Sequence, residues 1–180
     1  MNRSRLIQLT SLAVISVFSI FLVFSCNKSA KYNDTTLIRP CDNVICLNGG
    51  VCKDGVCSCP QGFEGTQCQT KWSDKFLGNY LADDACDTSS NYYSVVINAD
   101  PQYAYKLRIY HLGLNCKDSL LYATINPEKT SFVIPVQHTC GSLYISGSGN
   151  LNNKYINVYL YTRDSSMHTG SSCSILLNRQ

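Results

Sequence analysis

Tyr155-Ile156-Asn157-Val158-Tyr159-Leu160-Tyr161 alternates without a break. Successive side chains of an extended chain point to opposite sides, so Ile156, Val158 and Leu160 form a buried face. Tyr155, Tyr159 and Tyr161 share the other face. Ala104-Tyr105-Lys106-Leu107-Arg108-Ile109-Tyr110 repeats the pattern, with Tyr105, Leu107 and Ile109 on one side and Lys106 and Arg108 on the other. Shorter candidates are Phe76–Leu81, Tyr92–Asn98, Ser119–Ile125, Ser131–Ile134, Ser142–Ser148 and Ser172–Leu177. The breaks between them hold Asp100-Pro101, Gly113, Asn126-Pro127, Gly141, Gly149-Asn150 and Gly170, which favour turns. Gly147-Ser148-Gly149 reads as the turn that ends a strand. No helical periodicity appears between residues 72 and 180. Eight short consecutive strands predict an all-β domain over 72–180, an antiparallel meander. Closing it into a barrel removes the exposed edges. A two-sheet β-sandwich is the alternative.

Upstream, Cys41, Cys46, Cys52, Cys57, Cys59 and Cys68 are spaced C-x4-C-x5-C-x4-C-x-C-x8-C. So short a segment cannot bury a sufficient core, and covalent staples replace one. Asp54-Gly55, between Val51-Cys52-Lys53 and Val56-Cys57-Ser58, predicts a two-residue hairpin whose central residues both have positive φ. A zinc site is the competing reading, but the segment has no His and lacks paired C-x2-4-C spacing. The run from Cys59 to Cys68, with Gly62, Phe63 and Gly65, has the form C-x2-G-[FY]-x-G-x2-C. With the six-cysteine spacing, it resembles an EGF-like module over residues 41–68. That resemblance implies the pairs Cys41–Cys52, Cys46–Cys57 and Cys59–Cys68. Calcium-binding modules of this kind carry acidic residues just before the first cysteine. Here the stretch is Thr36-Leu37-Ile38-Arg39-Pro40, so no calcium site is expected. Gln69–Ser73 is a short joint, with Trp72 placed to pack in it.

Phe76-Leu77-Gly78-Asn79-Tyr80 resembles the G-x-[YW] first strand of lipocalin-like and avidin-like barrels. A closed meander makes the first and last strands neighbours. Four cysteines follow, and topology favours Cys86–Cys173 and Cys116–Cys140.

The N-terminus predicts the compartment. Arg3 and Arg5 precede an apolar run, Leu12 to Phe24, as in a secretory signal over residues 1–25. Leu22-Val23-Phe24-Ser25-Cys26 resembles a bacterial lipobox, which implies cleavage before Cys26 and acylation of its thiol. An uncleaved transmembrane anchor is the alternative, but the run is interrupted by Gln8, Thr10, Ser11, Ser16 and Ser19. The chain has 11 cysteines, an odd number. Ten are placed in pairs, and Cys26 is left for lipid. Residues 26–40 read as a lipidated cysteine and a polar tether. Asn27 beside it is compatible with the outer membrane of the cell envelope.

Charge excludes one class of partner. Removing Arg3 and Arg5 from 15 basic residues leaves 13 against 12 acidic ones, with no basic face for nucleic acid. No G-x-S-x-G, H-E-x-x-H or phosphate-binding Gly loop occurs. His111, His138 and His168 are scattered. No catalytic residue, metal or cofactor is expected. Eleven of the 12 tyrosines fall in the C-terminal domain, and outward tyrosines suit recognition. Tyr155, Tyr159 and Tyr161 are the candidate binding surface, with Tyr92 and Tyr103 nearby. The expectation is a lipid-anchored surface protein that binds an extracellular protein or glycan. A small-ligand carrier with a lipocalin-like lumen and an extracellular protease inhibitor are the alternatives.

Overall fold

A computed structural model describes residues 39–85, 91–113, 119–139, 141, 143–164 and 170–180. The expected signal, Cys26 and the tether up to Ile38 lie outside them. Arg39–Gln180 forms one compact unit.

The disulfide segment comes first. Strand β1 (Val51–Lys53) pairs antiparallel with β2 (Val56–Ser58), which sets Cys52 opposite Cys57. Asp54 and Gly55 connect them with φ of 51° and 85°, the geometry expected of this dipeptide. Cys41–Cys52, Cys46–Cys57 and Cys59–Cys68 are bonded, the same pairs that the resemblance implies. A second ribbon, β3 (Phe63–Glu64) with β4 (Thr70–Lys71), leads into a 3-10 turn at Trp72–Lys75.

Eight strands follow: β5 (Gly78–Asp84), β6 (Asn91–Ala99), β7 (Lys106–Tyr110), β8 (Leu120–Ile125), β9 (Ser131–Thr139), β10 (Leu143–Asn152), β11 (Tyr155–Asp164) and β12 (Gly170–Arg179). Each pairs antiparallel with the next, and β12 returns to β5 from Ile175↔Asp84 to Arg179↔Tyr80. The result is a closed eight-stranded barrel, not a sandwich. Its inward side chains alternate as the strands require. Tyr80, Ala82, Val95, Ile97, Leu107, Ile109, Leu121, Phe132, Ile156, Val158, Leu160, Ile175 and Leu177 belong to one buried cluster.

Most strands run past their expected ends, and β9 and β10 do so through residues that read as breaks. Gly147 and Gly149 lie inside β10, which continues to Asn152, so they are not a terminating turn. Gly149 is there because a Cβ at that position would lie 2.1 Å from the ring of Phe132. The interior uses that space for the ring, which also meets Phe76 edge-on at 5.6 Å. Strand β9 continues through Pro135 to Thr139. Backbone pairing of β8 with β9 stops after Thr124↔Val133, and continuing the register would set Pro135 opposite Tyr122. Proline has no N–H to offer. The Gln137 amide substitutes: its Oε1 accepts from Tyr122 N–H at 2.8 Å and its Nε2 donates to Tyr122 O at 2.7 Å. On its other side β9 gains a residue against β10, where the register shifts between Ile145 and Gly147. At the N-terminal end of β7, Ala104 and Tyr105 form a turn rather than strand. Asp100 Oδ1 accepts from the N–H groups of Gln102 and Tyr103 there.

The 3-10 turn closes one end of the barrel, here called the base. Phe76 just beyond it is fully buried, and Trp72 is nearly so. The disulfide segment docks at this end. Trp72 N–H donates to Gly62 O at 2.9 Å, and its indole Nε1 donates to Phe63 O at 3.1 Å. Gly62, at φ 96°, runs so close to the β6–β7 turn that a Cβ would sit 3.0 Å from that of Ala104. Glu64 reaches Lys75 at 2.9 Å and Lys129 at 3.0 Å, and the Lys129 ammonium lies 5.4 Å from the Trp72 ring centre. Trp72 therefore fills the joint and belongs to the barrel core at once.

At the opposite end, the rim, Leu112 turns inward and is buried. Gly113 N–H donates to Tyr93 Oη at 2.9 Å, and Tyr93 donates to Asp84 Oδ2 at 2.7 Å. Burial, then the Asp84 carboxylate, pushes the Tyr93 hydroxyl far above the ordinary phenol range. Cys173, on β12 near the rim, is disulfide-bonded. Its expected partner Cys86 lies outside the described residues, as do Cys116 and Cys140.

Candidate functional site

The outer face of β9–β12 near the rim carries the strongest candidate. Register builds it. On β11, Ile156, Val158 and Leu160 are buried, which turns Tyr159, Tyr161 and Arg163 outward. Across the β10–β11 ladder, Tyr144 lies opposite Arg163, Ser146 opposite Tyr161, and Ser148 opposite Tyr159. Across the β11–β12 ladder, the neighbours of the same three residues are Gly170, Ser172 and Ser174. Each of the two tyrosines therefore stands between two serines. Small flanks leave the rings uncovered: Tyr159 is 54% and Tyr161 47% exposed.

Tyr161 lies down along the sheet. A Cβ at Gly170 would meet its Oη at 2.5 Å and its Cζ at 3.0 Å, so the glycine provides the space for the phenol. On the β9 side, His138 meets the Tyr144 ring edge-on at 4.9 Å. Val136, pushed outward beside the β9 irregularity, is largely exposed. Val136, Tyr144, Ile145, Ser146, Tyr161 and Arg163 line an open recess of about 480 Å3. That is within the range of small-molecule sites, about 300–1,000 Å3. Among the described residues, Arg163 is the one charged member of the lining.

The structure divides the expected surface. Tyr159 and Tyr161 are brought to or beside the recess. Tyr155 shares their face but lies at the base, where its hydroxyl accepts from Asn152 Nδ2 at 2.6 Å. Tyr92 is on β6, separated from β11 by β12 and β5 in the barrel order. Tyr103 lies in the β6–β7 turn beside Tyr105 and under the Lys106 ammonium. Tyr144, Ser146, Val136 and Arg163 are the members that strand alternation alone did not single out. Their signal is relational: Arg163 is next along from Tyr161 on the outer face, Ser146 is opposite Tyr161, Tyr144 is opposite Arg163, and Val136 is the residue that the β9 irregularity leaves beside them, so only the register reveals the group.

Chemistry elsewhere is sparse. His111 follows β7 beside Tyr110, and His138 is on β9; His168 lies outside the described residues. Among the described residues, no three His, Cys, Asp or Glu side chains gather as a metal site would require. No helix among them is long and apolar enough to cross a membrane. No protein-family model, curated protein or solved structure matches the chain.

Proposed function

We propose that this chain is an exported, lipid-anchored, non-catalytic binding protein whose barrel presents the outer face of β9–β12 to a protein or glycan. One observation carries the reading. The exposed tyrosines and their recess sit at the rim, while the disulfide segment docks at the base. A tether that enters through the disulfide segment would hold the recess away from the membrane.

The remaining parts of the reading rest on sequence. The cysteine spacing, the Asp-Gly hairpin and the three bonds favour an EGF-like module, which serves as a spacer. The lipobox-like Leu22–Cys26 and the odd cysteine count favour acylation at Cys26 and an outer-membrane location. The apolar cluster that fills the barrel weighs toward an external site over a carrier lumen.

The test uses the purified full-length chain in detergent against a panel of extracellular glycans and proteins. A Tyr159→Ala/Tyr161→Ala double variant should lose the ligand that the wild type retains, with an unchanged melting profile. Unchanged binding by the variant, or turnover of the ligand, would overturn the proposal.

A further inference from the structure

We infer that the rim recess is built for a carboxylate-bearing saccharide, a short oligomer containing uronic acid units. The inference rests on the reading of this face as a binding surface and names its ligand chemistry.

Three features of the recess point the same way. The first is the serine-flanked tyrosine pattern. Ser146 and Ser172 bracket Tyr161, and Ser148 and Ser174 bracket Tyr159. An aromatic face beside hydroxyls matches a sugar ring, which has apolar C–H faces and a polar rim. The Tyr161 phenol extends over Gly170 and the residue stays about half exposed, so its side chain is uncovered before any ligand arrives. A preorganised platform loses little entropy on binding.

The second feature is charge. Arg163 is exposed, and among the described residues its guanidinium has no ion pair. Among the described residues, no Asp or Glu lines the recess to neutralise it. Asp164, next in the chain, falls on the opposite face of β11 by alternation. A guanidinium with its fork free is suited to bidentate contact with a planar carboxylate. Tyr144, directly across the ladder, places a second ring beside that contact.

The third feature separates a saccharide from an extended peptide. Strand β10 is paired with both β9 and β11 along the recess, and β11 with both β10 and β12. The part of the floor built by β10 and β11 therefore offers no free backbone N–H or C=O row for strand addition, and on the far side of β9 the Gln137 side chain already occupies the Tyr122 backbone groups. Recognition is left to ring faces, hydroxyls and one guanidinium.

The experiment is calorimetric titration of the full-length chain in detergent with oligogalacturonate and with its methyl ester. These have the same sugar rings, with and without the charge. The wild type should prefer the acid by about tenfold or more, with affinity falling as NaCl rises. Arg163→Gln should remove that preference, Arg163→Lys should restore part of it, and Tyr161→Ala should abolish binding of both. Tyr92→Ala, on β6, should change nothing. Equal affinity for acid and ester, with loss on Tyr161→Ala, would overturn the acidic assignment and leave the binding face standing. Binding that survives Tyr161→Ala would overturn the face itself. Failure of the wild type to bind either oligomer would overturn the uronide assignment, while the wider panel continues to report on the face.

Discussion

Arg179 and Tyr80 are 99 residues apart in sequence, and they clasp the barrel where its last strand meets its first. The guanidinium donates to Tyr80 Oη at 2.9 Å and to Lys75 O at 2.7 Å. It lies 5.6 Å from the Tyr80 ring centre. The buried hydroxyl in turn donates to Phe76 O at 2.7 Å. The Arg179 side chain thus joins β12, β5 and the end of the 3-10 turn, and it satisfies the Lys75 carbonyl while Tyr80 satisfies that of Phe76. Arg179→Ala should cost about 1–2 kcal/mol in urea unfolding. Arg179→Lys should recover only part, because an ammonium lacks the planar fork.

Gly149 and Phe132 share one volume. Ala at position 149 would have to displace the ring from the core, not from solvent. Gly149→Ala is expected to destabilise by about 1–3 kcal/mol. Phe132→Leu in the same chain should relieve part of that cost, and a double-mutant cycle measures the coupling. Additive effects would mean that the two residues do not compete for space.

The joint between disulfide segment and barrel should be sensitive to acid. Hydrogen bonds from Lys75 and then Lys129 hold the Glu64 carboxyl below its ordinary value of 4.5. A folded-state pKa below the unfolded one adds stability that is complete above about 4.5 and lost as pH falls through the lower folded value. Glu64→Gln should therefore differ from wild type at pH 7 and converge with it in strong acid. Melting curves from pH 7 to pH 2 check this. The difference should also shrink in high salt, since the pairs are partly exposed.

The register of β5 and β12 supports the expected partner of Cys173. The β5–β12 ladder pairs Asp84 with Ile175, and Ala85 N–H donates to Ser174 O at 3.4 Å. Cys86 lies outside the described residues; a ladder continued by one step would bring it opposite Cys173. We expect peptide mapping under non-reducing conditions to recover a Cys86–Cys173 peptide. Recovery of Cys173 with Cys116 or Cys140 would mean that the ladder does not continue.

Much of the barrel was legible because its strands obey the simplest rule. Alternating Leu107 and Ile109, or Ile156, Val158 and Leu160, announce an inward face without knowledge of any neighbour. Glycine misled at positions 147 and 149, where it marks close packing inside a strand and not a turn. The same local pattern cannot be told from a turn until Phe132, on another strand, is placed. Pro135 was equally opaque. Its strand survives because Gln137 replaces the missing backbone bond to Tyr122, a relation that exists only in three dimensions. The recess follows the same logic. Tyr159 and Tyr161 were evident from their own strand, whereas Tyr144 and Arg163 became partners through the β10–β11 register.

The placement of the recess at the rim and of the disulfide segment at the base has a mechanical meaning. If the chain is anchored through the disulfide segment and holds its ligand in the recess, as proposed, a pull on β11 near Arg163 would draw the barrel away from its attachment at the start of β5. The two forces would act along the strands in opposite directions, so the ladders between β11, β12 and β5 would be sheared. Many hydrogen bonds must then yield together, instead of unzipping one after another. Below the barrel, the three disulfides would limit how far the segment can lengthen. Such an arrangement is suited to holding a bound surface under tension.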